Sequence, residues 1–246
     1  MSDWSDLFDS YGRNARLFPA ILVLTPILVL PVVLLGTERI SSYVILGVVA
    51  AAGLYPMSAA IRDLGKKVEP KLYAEWGDKP TTRMLLWEDS TFDATAKARY
   101  YGFFRAQGLD IPSPDYQKTN PGESRKQLSS AVDWLRENRR ANSLVLGENA
   151  SYGFRRNLFA AKWIGVATAS LAGIVNLWSL GILITSPAVT TFADFRDRVE
   201  IEDIVGLVLD VCLLLFFLSR SKSWVKRSAD IYARAILLSC DQQSES

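Results

Sequence analysis

Leu17 to Gly36 reads LFPAILVLTPILVLPVVLLG, with no charged side chain in the run. An α-helix rising about 1.5 Å per residue needs roughly 20 apolar residues to cross a hydrocarbon layer about 30 Å thick. This stretch supplies them. Pro19, Pro26 and Pro31 would damage a helix in water. Membrane helices tolerate proline because neighbours supply donors to the carbonyls it leaves without one, so a kinked membrane helix is expected.

Three more apolar segments follow. Ser41–Ile61, SSYVILGVVAAAGLYPMSAAI, is rich in Gly, Ala and Ser, which let helix backbones approach closely. Leu158–Ile184, LFAAKWIGVATASLAGIVNLWSLGILI, has Lys162 near its start, where a long side chain snorkels to the membrane surface. Its Trp163 and Trp178 suit interfacial or packing positions. Ile201–Leu218, IEDIVGLVLDVCLLLFFL, carries Glu202 and Asp203 at its start and Asp210 within. Its uncharged remainder is short, which a tilted or bundled helix tolerates.

The chain therefore reads as an all-α integral membrane protein. Four transmembrane helices form two hairpins, with a small helical cytoplasmic domain inserted between helices 2 and 3. Residues 1–16 form an N-terminal cytoplasmic segment, 17–61 the first hairpin and 62–156 the cytoplasmic domain. Residues 157–218 form the second hairpin and 219–246 a cytoplasmic helix and tail. A secretory signal fits the first segment poorly: its leader MSDWSDLFDSYGRNAR starts acidic, the apolar run is long, and no small-x-small site precedes Glu38 and Arg39. The segment is expected to stay in the mature chain.

Basic residues in short flanking segments set orientation. Arg13 and Arg16 precede the first segment; Arg62, Lys66, Lys67 and Lys71 follow the second. Arg155, Arg156 and Lys162 lie at the entry to the third, and Arg220, Lys222, Lys226 and Arg227 follow the fourth. The other two connections are poor in basic residues: GTERISS holds Arg39, and TSPAVTTFADFRDRVE sets Arg196 and Arg198 against three acids. Both termini and the insert are expected on the cytoplasmic side of the membrane. The mean hydropathy of +0.11 and 22% charge fit apolar helices joined to a charged domain. A net charge of +2 gives no reason to expect direct nucleic-acid binding.

Within the insert, helices are expected from Asp89 to Gln107, starting at Ser90 or Thr91, and from Glu123 to Arg140. Loops are expected at Trp76–Pro80, around Pro112 and Pro114, at KTNPGES and at ANSLVLG. Asn149 or Ser151 is a candidate cap for a helix entering the third segment. The C-terminal SKSWVKRSADIYARAILLS reads as a helix that lies on the membrane surface or packs on the insert.

The chain has no histidine, which removes Ser-His-Asp and Cys-His nucleophiles and histidine metal ligands. Cys212 and Cys240 are too few for a zinc site, and no GxxxxGK[ST] or GxGxxG occurs. No enzyme, cofactor or metal is expected. A carboxylate-only enzyme would have to draw on scattered acids such as Glu88, Asp89, Asp93 and Glu148, whose ordinary role is solvation.

The densest polar run is Glu148, Asn149, Tyr152, Arg155, Arg156 and Asn157. Its arginines, beside Asn and Tyr, suit a phosphate, a nucleotide or another small anionic ligand, or a cytosolic protein partner. They equally suit a membrane-proximal helix start with Glu148 paired to one of them. Arg83, in Pro80-Thr81-Thr82-Arg83, invites the same two readings. Asp210 is costly inside a membrane and needs a polar neighbour, with Asn176 the natural candidate. The pair either fixes helix packing or serves a pore- or proton-linked role.

The runs Trp76-Gly77-Asp78-Lys79-Pro80-Thr81-Thr82-Arg83-Met84-Leu85, Asp133-Trp134-Leu135-Arg136 and Glu148 to Asn157 resemble those of uncharacterised bacterial four-pass inner-membrane proteins. Those proteins share a helix pair, an insert with W-G-x-x-P-T and E-N-x-x-Y-G-F-R-R-N runs, and a second helix pair. The resemblance implies architecture and no activity. Small multi-pass proteins of this build also occur as membrane partners in bacterial anti-phage systems, an analogy of architecture. The expectation is a homo-oligomeric, channel-like or membrane-perturbing element governed by its cytoplasmic domain. The alternative is a non-conducting anchor that recruits a cytosolic protein.

Overall fold

The computed structural model describes residues 10–35, 40–139, 142–185, 191 and 199–241. Among these the regular structure is all helical, with no strand. A π-helical turn, Arg13–Leu17, leads into α1 (Phe18–Leu35); α2 is Ile40–Glu75. Then come α3 (Pro80–Leu85), α4 (Ala94–Ala106), α5 (Pro114–Thr119) and α6 (Pro121–Asn138). The chain continues with α7 (Ser143–Ala160), α8 (Lys162–Thr185), α9 (Ile201–Leu218) and α10 (Lys222–Leu238). Expectations for residues 1–9, the connections at 36–39, 186–190 and 192–198, and the tail at 242–246 lie outside the described residues.

The helices divide into two units. The first joins Met1–Lys66 to Arg156–Ser221, and the second joins Lys67–Arg155 to Lys222–Ser246. The segment assigned to a separate C-terminal piece thus belongs, from Lys222, with the insert.

In the first unit α1, α8 and α9 pack on one another. The face that α9 buries carries Asp203, Gly206, Asp210, Leu213 and Phe217, at the three- and four-residue spacing of one helix side. Its opposite face exposes Ile201, Ile204, Val205, Val208, Val211, Leu215 and Leu218. Phe217 lies 2.5 Å from where a Cβ on Gly165 would stand, and Val33 2.6 Å from the same point on Gly206. Only glycine admits such approaches, as is common between membrane helices. Lys162 Nζ donates to the carbonyls of Leu218 at 2.9 Å and Arg220 at 3.1 Å. Its charge thus meets the partially negative C-terminus of α9.

Two helical stretches, Arg13–Pro31 and Lys162–Gly181, are long and apolar enough to cross a membrane. α9 has similar length but includes Glu202, Asp203 and Asp210, and α2 runs through the second apolar segment into the polar chain as far as Glu75. Among the described residues the all-helical expectation is therefore met, and two of the four expected spans have the length and apolarity of a crossing helix.

The second unit has its own core, with Leu72, Leu85, Phe104, Leu128, Leu135 and Ile236 buried. Several boundaries differ from expectation, each for a local reason. α4 begins at Ala94, because Asp93 Oδ1 accepts from the Ala96 N–H at 2.7 Å while Asp89 Oδ1 turns the chain back on Thr91. Pro114 opens the short α5, capped by Ser113, and Pro121 opens α6; both occupy a first helical turn, where proline's missing N–H costs nothing. ANSLVLG is largely helix: Asn142 Oδ1 accepts from Leu144 and Val145 N–H at 3.1 Å each, so α7 starts seven residues or so before the expected caps. The C-terminal α10 packs against α3.

Candidate functional site

The polar core of the first unit sits on α8 and α9. Asn176 Nδ2 donates to Asp210 Oδ2 at 2.7 Å, with the two residues only 2% and 4% exposed. Gly206 and Gly173 flank the pair: a Cβ on Gly206 would stand 3.4 Å from Asn176 Nδ2 and one on Gly173 3.7 Å from Asp210 Cβ, both ordinary contact distances. Asn176 Oδ1 is buried and finds no hydrogen-bond partner among the described residues. Leaving such an acceptor empty costs about 1–3 kcal/mol, so the pair retains the capacity to take a further donor. Chemically, it sets a carboxylate and an amide inside an otherwise apolar helix packing.

A second polar cluster in the same unit answers the proline problem of α1. Pro19 has no N–H to give to the Ala15 carbonyl four residues back. Asn157 Nδ2 donates to that carbonyl instead, at 2.7 Å. Asn157 Oδ1 accepts from Arg156 Nε and a terminal guanidinium nitrogen at 3.2 and 3.1 Å. Asn157 is 1% exposed, and its Oδ1 lies 2.0 Å from where a Cβ on Gly65 would be. Asn157 thus ties α7 to the π-helical turn before α1 and accepts from Arg156, while its Oδ1 closely approaches Gly65 of α2.

The remaining candidates, Glu148, Asn149, Tyr152, Arg155 and Arg83, lie in the second unit. Tyr152 is buried, donates to Glu69 Oε1 at 2.7 Å, and stacks on Tyr232 with centroids 6.2 Å apart. Tyr73 also donates to Glu69 Oε1, at 2.9 Å. Arg155 donates to the Trp224 carbonyl at 3.3 Å and sits over the Trp224 ring at 5.2 Å. Arg83 pairs with Asp230 at 3.0 Å and Asp89 at 3.4 Å, fastening α10 to α3. Glu148 forms no ion pair among the described residues: it precedes Arg155 by seven residues, about 10.5 Å along the helix, too far to meet it. Glu148 and Asn149 remain half-buried, beside Leu144 and Leu146, which are 53% and 41% exposed.

No family model, curated protein or solved structure matches this chain. The resemblance of its W-G-x-x-P-T and E-N-x-x-Y-G-F-R-R-N runs to bacterial inner-membrane proteins therefore rests on those runs alone. Among the described residues no group of three or more Cys, Asp or Glu stands together to hold a metal ion.

Some structural residues carry no local sequence signal. Lys97, 2% exposed, donates to the Leu86 carbonyl at 2.6 Å and to the Asp89 carbonyl, tying the turn after α3 to α4. Burial lowers its pKa, against the pull of Asp89. Gln117 accepts from the Trp87 N–H at 3.1 Å and donates to the Tyr101 hydroxyl at 2.7 Å. Burial pushes the Tyr101 phenol up to about 12, opposed by the Gln117 hydrogen bond, and raises Tyr152 as well. In an unfolded chain tyrosine ionises near 10. The stabilisation from Tyr101 is thus complete below about pH 10 and is lost as pH rises through 12. In an alkaline titration followed by phenolate absorbance and circular dichroism, these two tyrosines should ionise only with loss of helix. Ionisation of all tyrosines near pH 10 with the fold intact would contradict their placement.

Proposed function

We propose that this chain is an oligomeric, four-pass inner-membrane protein whose helices form a channel-like or membrane-perturbing element controlled by its cytoplasmic insert. The observation that carries the reading is the Asn176–Asp210 pair, buried among helices whose outer faces are apolar. α9 supports counting it as a span despite its acids: Asp203 and Asp210 face inward, Asp203 accepting from the Glu200 N–H at 3.1 Å, while isoleucine, valine and leucine face out. Hydrocarbon then meets an apolar surface, and the costly groups meet partners. The basic clusters supply the orientation, with both termini and the insert in the cytoplasm.

Proteoliposomes holding the purified full chain should leak ions or a small trapped dye above protein-free vesicles. A monomeric protein that leaves vesicles tight would refute the reading. An anti-phage setting rests on architectural analogy, and plating efficiency of phage on expressing cells tests it.

The second reading is a non-conducting scaffold, favoured by Leu144 and Leu146 standing exposed beside the half-buried Glu148 and Asn149. Cross-linking in cells should then capture one stoichiometric cytosolic protein, lost in Leu144→Ser/Leu146→Ser. Arg155 and Arg156 are unsuitable probes, since both have packing roles.

A further inference from the structure

A cavity of about 230 Å³ opens in the second unit between the turn after α3, helix α5 and the start of α6. Leu86, Trp87, Pro114 and Pro121 give it apolar walls, and Lys118 and Arg125 set two positive charges against the one negative charge of Glu88. We propose that this cavity binds a small organic carboxylate with a compact apolar body, such as an aromatic ring or branched chain. The proposal names a ligand for the insert's sensing role and rests on that role for its meaning, whereas binding itself is measured without reference to conduction.

The walls are held before any ligand arrives, which lowers the cost of binding. Gln117 fixes the Trp87 backbone, and the indole stands edge-on to Tyr101 at 5.4 Å between centroids. Tyr101 in turn donates to the Leu85 carbonyl at 2.6 Å. The indole Nε1 is buried and has no hydrogen-bond partner among the described residues. The volume equals that of about seven or eight waters at about 30 Å³ each, below the usual range for drug-sized ligands and too small for a nucleotide.

The polar groups select a carboxylate. One terminal nitrogen of Arg125 donates to the Gly77 carbonyl at 2.8 Å and approaches Asp78 at 3.2 Å, which orients the guanidinium. The other lies 3.6 Å from Glu88, whose side chain is 77% exposed. A ligand carboxylate can displace so loose a partner and gain a charge-assisted hydrogen bond. Lys118 pairs loosely with Asp115, at 3.6 Å, and both are largely exposed. α6 begins at the wall residue Pro121, with Asn120 making no side-chain cap, so the positive end of an 18-residue helix adds to the two cations. Of the charges that line the cavity, Glu88 offsets one of the two cations, which leaves a single net positive charge to meet a single carboxylate and disfavours a dianion.

Ligand-observed NMR and calorimetry on the full chain in detergent, with phenylacetate and its neutral analogue phenylacetamide as probes, test the proposal. Phenylacetate should saturate in the micromolar to millimolar range, with the amide about tenfold weaker, roughly the worth of one charge-assisted contact. Lys118→Gln and Arg125→Gln should each weaken phenylacetate several-fold and leave the amide unchanged, while Trp87→Ala removes both. Lys118→Gln keeps the test secure should Arg125→Gln disturb the Gly77 turn. No saturation of phenylacetate in the millimolar range, equal affinity for the two probes, or unchanged binding in both charge variants would overturn the proposal. Binding without any vesicle leak would support the site and refute the conducting role; leak without binding would do the reverse.

Discussion

Asn157→Leu should destabilise the first unit by about 3–5 kcal/mol, because it removes the donor to the Ala15 carbonyl and the acceptor for a buried guanidinium together. Each loss alone has a magnitude of about 1–3 kcal/mol. Unfolding in mixed micelles, followed by helix content, measures the change. A paired substitution isolates the cause. A methyl group on Gly65 would fall 2.0 Å from Asn157 Oδ1, so Gly65→Ala should be costly in the native background, on the order of 1–3 kcal/mol for an overpacked site. In an Asn157→Ala background the obstruction is gone, and the same change should cost less than half as much. Equal costs in the two backgrounds would show that the Gly65–Asn157 approach does not govern this packing.

Asp210→Leu should reduce leak through proteoliposomes at least tenfold, a change of about 1.4 kcal/mol or more in the barrier. It also deprives Asn176 Nδ2 of its acceptor, so a loss of about 1–3 kcal/mol in stability should accompany it. Asp210→Asn separates the two effects. It conserves volume and a hydrogen-bonding oxygen for Asn176, so stability should stay near that of the native chain. If leak falls in Asp210→Asn while stability holds, the carboxyl group itself serves transport. Native leak in both variants would assign the pair to packing alone.

Much of the fold can be read locally, because hydrophobic length and basic flanks act over a single turn or segment. α9 coincides with its apolar run, Ile201–Leu218. The late start of α4 and the early start of α7 are also locally encoded: Asp93 before Ala-Thr-Ala and Asn142 before Ser-Leu-Val are N-cap signals, outcompeting Ser90, Thr91, Asn149 and Ser151. Other relations join distant parts of the chain and leave no spacing to read. Arg83 finds Asp230 across 147 residues, and Asn157 finds Ala15 across 142. Arg83 and Asn157, open in the sequence to a ligand-binding or a structural reading, both make such contacts. Conversely, Trp87, Lys118 and Arg125 are unremarkable along the sequence and acquire a shared cavity only when α5 and α6 fold back on the turn after α3.

Lys162 has a consequence for how orientation is measured. Experiments that locate termini by neutralising positive residues assume that each charge acts on insertion and nothing else. Here the ammonium also closes the end of α9, through the Leu218 and Arg220 carbonyls. Its removal would confound topology with the fraying of a helix, and an inverted or heterogeneous product would have two explanations. Lys66, Lys67 and Lys71 stand exposed, so neutralising that trio tests the proposed cytoplasmic placement of the insert without that complication.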